Sequence, residues 1–268
     1  MAGLFQVLWG AKGGGFRPPE ALKGTNGKAL IIPTSGQKKM QELTRKICTR
    51  PFAVDWDGDG DLDLVTGNFS GSFYLFRGEG KGRFRPVPEI LKAGKEELQL
   101  PKDHHSDPFV VDWDGDGDLD LLSGSASGTI RWAENEAGPG KEPRLKPFQT
   151  LISAPERDNL AISFERVLPT APSRDVRIWV DDIDGDGKLD ILAGDQAMLL
   201  YAAKGLSREE FTRKYTPWRK KAEMLYEKWQ ANKNDRQAAQ RWSKHFYSGR
   251  NTFMQEENTG FVWLFRQK

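Results

Sequence analysis

The chain of 268 residues balances 40 Lys and Arg against 38 Asp and Glu, and a formal net charge of +2 gives no global attraction to nucleic acid or to an anionic membrane. Its single cysteine, Cys48, excludes an internal disulfide framework. A hydrophobic content of 37% with 11% aromatic residues is enough for a packed core, and no segment has the length of a membrane-spanning helix.

The amino end, MAGLFQVLWGAK, is apolar but carries no basic n-region, so no signal peptide is visible. Residues 3–22, GLFQVLWGAKGGGFRPPEAL, align with residues 71–91, GSFYLFRGEGKGRFRPVPEIL. Both read as an alternating strand, a Gly/Lys turn and a Phe-Arg-Pro strand start. Residues 1–50 are therefore expected to be the back half of a repeat plus loops, with turns at TNGK and TSGQKK. Two expectations stay open: an upstream half-repeat is missing, or a short ring closes by pairing of its ends.

Three stretches then say nearly the same thing: PFAVDWDGDGDLDLVTG from Pro51, PFVVDWDGDGDLDLLSG from Pro108 and RIWVDDIDGDGKLDILAG from Arg177. Each is a short apolar run, an Asp/Gly loop and a second apolar run ended by Gly, which predicts strand, loop, strand. The units are expected at 51–107, at 108–176, and at 177–206 completed by 256–268. In the first, Phe73, Tyr74, Leu75 and Phe76 predict a strand buried on both faces. In the second, TIRWAEN takes the equivalent place. Their spacing exceeds the about 40 to 50 residues of a four-strand unit, so they carry extended loops.

Between the first two lies KDHHSD, with His104 and His105 beside Asp103 and Asp107. Neighbouring residues on a strand point to opposite faces, which disfavours joint ligation, and a solvated loop is expected. After QAMLLYAAKG the pattern turns helical. Ser207 and Glu210 form a capping-box signature, and Trp218, Ala222, Leu225 and Trp229 make one apolar stripe. Asp235 caps a second helix with its own stripe at Ala238, Ala239, Trp242 and Phe246. The αα-hairpin over 207–250 is expected as an insertion in the last unit, its basic outer face solvated. The postponed strand returns as GFVWLFRQK, which matches GSFYLFRGE of the first repeat.

The chemistry sits in the loops. Carboxylates recur at relative positions 1, 3, 5 and 9: Asp55, Asp57, Asp59 and Asp63; Asp112, Asp114, Asp116 and Asp120; Asp182, Asp184, Asp186 and Asp190. Position 7 is Asp61, Asp118 and then Lys188, a swap of sign that only a main-chain oxygen ligand tolerates. Calcium takes six to eight oxygens, and loops of this type supply carboxylates at 1, 3 and 5 with a carbonyl at 7. Two unit charges about 4 Å apart repel by about 4 kcal/mol at an effective dielectric of about 20, so converging carboxylates oppose folding without a cation. An EF-hand needs a bidentate Glu at position 12 and a helix after it, whereas Thr66, Ser123 and Ala193 stand there, each inside a strand pattern. A hydrated acidic turn is the other alternative, and three copies in one register weigh against it. Trp56 and Trp113 at position 2 are matched by Ile183, which points to packing between units.

Strand, DxDGDGxxD loop, strand, Gly resembles the FG-GAP or VCBS repeat, the calcium-loop blade of integrin-α-like β-propellers. The likeness covers the three repeats and their flanks. It implies an all-β propeller with about four blades visible, calcium as the cofactor, and a setting outside the cell or on its surface. The function it implies is a binding or adhesion module for a carbohydrate or protein ligand. A polysaccharide lyase or hydrolase on the same scaffold is the alternative, with Glu134 and Glu136 as candidate acids but no catalytic motif.

Overall fold

Short apolar runs closed by glycine give a mostly β chain with few helices. The computed structural model describes residues 3–33, 39–156, 158 and 160–268. The chain separates into two compact units. The first comprises Met1–Ala154, Ala171–Asp195 and Phe261–Lys268; the second comprises Pro155–Thr170 and Gln196–Gly260.

In the first unit, β1 (Gln6–Val7) pairs antiparallel with β2 (Glu20–Ala21). A short helix, α1 (Lys39–Lys46), follows where loops were expected, because Lys, Met, Gln, Glu, Leu and Arg are all good helix formers. Most of the turn expected at TSGQKK lies outside the described residues. The first four-stranded sheet is β3 (Arg50–Val54), β4 (Asp63–Gly67), β5 (Tyr74–Phe76) and β6 (Glu89–Ile90), paired in that order. A two-stranded hairpin, β7 (Lys92–Ala93) and β8 (Glu96–Glu97), leads to the second sheet: β9 (Asp107–Val111), β10 (Asp120–Gly124), β11 (Ile130–Ala133) and β12 (Gln149–Ile152).

The third sheet starts with β13 (Arg174–Asp181) and β14 (Asp190–Ala202), a strand of 13 residues that crosses the boundary between the units. Two helices follow, α2 (Arg208–Ala231) and α3 (Arg236–Tyr247), then β15 (Met254–Thr259) and β16 (Val262–Phe265). β16 pairs with the first half of β14 by the register Ile191–Phe265 and Gly194–Val262. That repeats the β4–β5 register of the first sheet, Leu64 opposite Phe76.

Period-two alternation on β4, β10 and β14 sends successive side chains to opposite faces, and each face has its own neighbour. Leu64, Tyr74 and Phe76 face back into a cluster with Phe5, Leu22, Leu30 and Ile32. Val65, Phe73 and Leu75 face forward and meet Val110, Leu121 and Ala133 on the back of the second sheet. Leu122, Ile130 and Phe109 face forward in turn onto Val176, Ile191 and Ala193 of the third. The first strands also meet: the rings of Phe52 and Phe109 lie 4.7 Å apart, and those of Phe109 and Trp179 lie 5.4 Å apart.

In the second unit, the last part of β14 pairs with β15 from Ala197–Thr259 to Ala202–Met254. The capping box forms: Ser207 Oγ accepts from the Glu210 amide at 3.2 Å, and Glu210 accepts from the Ser207 amide at 3.0 Å. Asp235 caps α3 through the amides of Gln237 and Ala238. Phe211, Trp218 and Ala222 pack with Phe253 and Met254, and Tyr226, Trp229 and Trp242 continue the aromatic contacts between the helices. Removing the cap with Ser207→Ala is expected to cost about 1 kcal/mol, seen as a lower midpoint of the helical transition in circular dichroism at 222 nm.

Candidate metal centres

Each acidic loop joins the first two strands of a sheet, and its turn rests on two left-handed glycines. Gly58 and Gly60 have φ of 75° and 90°, and the pair recurs at Gly115 and Gly117 and at Gly185 and Gly187. A side chain there would be strained, so the DGDG spelling is a backbone requirement.

The first carboxylate ties the turn. Asp55 accepts from the amides of Gly58 and Gly60, both at 3.0 Å. Asp112 does the same with Gly115 at 2.9 Å and Gly117 at 3.0 Å, and Asp182 with Gly185 at 2.8 Å and Gly187 at 3.0 Å. With position 1 held, one oxygen from each of positions 1, 3 and 5 lies within 4.8 Å of the others in every loop: Asp55, Asp57 and Asp59; Asp112, Asp114 and Asp116; Asp182, Asp184 and Asp186. Such sets of hard oxygens could hold a divalent ion. At position 7 the main chain docks the same way whatever the side chain. The amides of Asp61, Asp118 and Lys188 donate to the position-5 carboxylates at 2.8, 3.0 and 2.9 Å.

Position 9 plays a different part. Asp63, Asp120 and Asp190 are buried, and one oxygen of each accepts the amide two residues beyond the third strand: Gly78 at 2.8 Å, Asn135 at 2.7 Å and Gln267 at 3.2 Å. The other oxygen differs in each loop. Asp63 Oδ2 receives Arg77 at 3.3 Å, Asp120 Oδ2 receives the Trp113 amide at 3.1 Å, and Asp190 Oδ2 is buried without a partner. Asp118 Oδ1 is likewise buried and unpartnered, while Asp118 Oδ2 accepts from Gly138 at 2.7 Å. Burial pushes Asp120 up to about 6, and it raises Asp63, Asp114 and Asp118 as well. These anions have lost water that the protein replaces only in part.

The residue after the third strand sets the charge of each loop. Arg77, only 6% exposed, reaches Asp57 at 3.2 Å as well as Asp63. It also meets Glu89 and Glu142. In the third sheet Arg266 lies 3.4 Å from Asp184, which is again position 3, but stays solvent-exposed. The second sheet has Glu134 in that place, and its partner is Lys146 at 2.7 Å. Lys146 also holds Glu136 at 3.0 Å, so both candidate acids are engaged in one ion-pair cluster.

Trp56 is 2% exposed and donates to the Leu119 carbonyl of the second loop at 2.8 Å; Trp113 packs against the cluster shared with the third sheet. Position 2 therefore faces forward in the first two loops. Ile183 is 42% exposed.

The histidine loop departs from the solvated reading. His105 and Asp175 are joined through Nδ1 and a carboxylate oxygen, both residues in left-handed backbone with φ of 58° and 49°. Phe69 stacks on His104 at 5.3 Å and meets His105 edge-on at 4.5 Å, and His105 Nε2 is buried without a partner. A partner 70 positions away leaves no local pattern that could announce it. On the hairpin several cations of the basic face are paired, Arg208 with Glu165 at 2.9 Å and Arg219 with Glu223 at 2.7 Å. Among the described residues no helix is long and apolar enough to cross a membrane.

Among curated proteins none matches the chain. The family model described as the FG-GAP-like repeat matches it twice, over residues 55–123 and 112–193. The two matches begin on Asp55 and Asp112, the first carboxylates of the first two loops, and together they span more than half of the chain, which thus belongs to the FG-GAP-like repeat family.

Proposed function

We propose that the three loops bind calcium and that the chain is a calcium-stabilised β-propeller of FG-GAP/VCBS-type blades, working outside the cell as a binding or adhesion module for a carbohydrate or protein. The reading rests on one observation. Carboxylates converge in the same register three times, and buried oxygens of Asp118 and Asp190 are left without partners. A hydrated acidic turn has no reason to bury a carboxylate oxygen unpaired, at a cost of about 1–3 kcal/mol.

The ligands would be Asp55, Asp57 and Asp59; Asp112, Asp114 and Asp116; and Asp182, Asp184 and Asp186. The main-chain oxygens of Asp61, Asp118 and Lys188 would add to them, with Asp63, Asp120 and Asp190 behind. A bound cation would supply positive charge against these carboxylates. The hairpin over 207–250 is then an insertion carried between the second and third strands of the last blade, in keeping with the pairing of β14 and β16 across it. Calorimetric titration of chelator-stripped protein with calcium tests the reading. Saturable heat at two or three sites is expected, and none at millimolar calcium would refute it.

The loops are expected to differ in strength. Loop two has five aspartates and Glu134 close by; loop one has a buried guanidinium among its carboxylates. In a background with Asp112→Asn and Asp182→Asn, Arg77→Gln is expected to tighten calcium binding by loop one about tenfold, or about 1.4 kcal/mol. An unchanged calorimetric affinity would show that Arg77 does not compete with the ion.

A further inference from the structure

The third sheet repeats the forward face of the first two, but that face is bare. In the first sheet Val65, Phe73 and Leu75 face forward, each fully buried against the second sheet. In the second, Leu122 and Ile130 are fully buried against the third. The register places Leu192, Val262 and Leu264 at the equivalent positions. Val262 is 73% exposed and Leu264 42%. Trp179, which follows Phe52 and Phe109 in the file of first-strand rings, is 57% exposed, and Ile183 stands bare where Trp56 and Trp113 pack forward.

The glycines carry the same message. A Cβ on Gly67 would meet the Ser106 carbonyl oxygen at 2.1 Å, and one on Gly124 would meet the Val176 carbonyl oxygen at 2.2 Å. Ser106 and Val176 are equivalent, each three residues before the aromatic of the next first strand. These glycines let one sheet approach the backbone of its successor. Gly194 is the third of the series, and a Cβ there would meet nothing within 4 Å.

At the other end of the series the sheet of β1 and β2 has two strands in place of four. It packs forward through Phe5 and Val7, and it leaves Leu8 50% exposed and Phe16 71% exposed. The chain therefore carries a bare forward face at one end of a repeated interface and a bare apolar edge at the other.

We infer that the forward face of the third sheet docks a second copy of this chain, through the copy's β1–β2 sheet with Leu8 and Phe16, continuing the interface already formed twice within one molecule. The contact is head-to-tail, and it closes into a dimer if each copy serves the other. The inference rests on the repeat of packing and not on calcium, so each can fail without the other.

Sedimentation equilibrium on the calcium-saturated chain, from micromolar to near-millimolar concentration, provides the test. Concentration-dependent self-association is expected, weakened at least tenfold by Val262→Arg and equally by Phe16→Asp. Both positions are exposed, so both variants should keep the wild-type thermal midpoint and calcium uptake. In a mixture of the two, Phe16 of the first meets Val262 of the second, and association between them should return. A monomer at every concentration overturns the inference. So does association that either variant leaves unchanged, since a symmetric contact through one end would ignore the other.

Discussion

Chelation of divalent ions is expected to lower the thermal midpoint of the β-rich unit by roughly 10–30 °C and to leave the helical transition of the second unit in place. A site filled at 100 times its dissociation constant stabilises the fold by about 2.7 kcal/mol, and each kcal/mol moves the midpoint of a unit this size by about 2–4 °C. Two or three filled loops give the range. The cause is local. In every loop carboxylates at positions 1, 3 and 5 lie within 4.8 Å of one another, and β3–β4, β9–β10 and β13–β14 must close over them. Differential scanning calorimetry with calcium and with EDTA reads both transitions in one experiment. Identical traces would mean that the carboxylates are tolerated without an ion.

Gly124→Ala should destabilise the β-rich unit by about 3 kcal/mol or more, because the added methyl lands 2.2 Å from a carbonyl oxygen that cannot rotate away. The sheets must part, and the packing of Leu122 and Ile130 on Val176 loosens with them. Gly67→Ala is expected to behave alike against Ser106. The control is Gly194→Ala, which has open space and no left-handed backbone; its effect should stay within about 0.5 kcal/mol. Urea unfolding of the three variants measures the contrast. Equal losses at Gly124 and Gly194 would remove the account of why glycine ends these strands.

What could be read from the chain were its local codes. The DGDG loops need left-handed turns, Ser207 and Glu210 announce a helix start, and the likeness of GFVWLFRQK to GSFYLFRGE places β16 before any pairing is seen. The loop aspartates at positions 1, 3 and 5 fell together as their spacing requires. Other features had no periodicity to betray them. Arg77 is an ordinary arginine after a strand until the fold turns it back on Asp57 and Asp63. His105 finds Asp175 only through the packing of β9 beside β13. The eight residues of α1 are too few for a repeat to show. Exposure of Val262 and Trp179 was equally hidden, since their sequence contexts match those of buried counterparts.

The hydrogen bond that a backbone amide donates to the position-9 carboxylate bears on the order in which the chain assembles. In the first two sheets it spans 15 residues, Asp63 to Gly78 and Asp120 to Asn135; in the third, Asp190 must wait for Gln267, 77 residues on. The longer excursion costs about 1.5 kcal/mol more in closure entropy, and a nascent chain cannot make it until Gln267 has left the ribosome. The first two sheets can thus mature early in synthesis, whereas the third waits for Gln267, so a chain cut short before that residue would have two finished sheets and one unlatched.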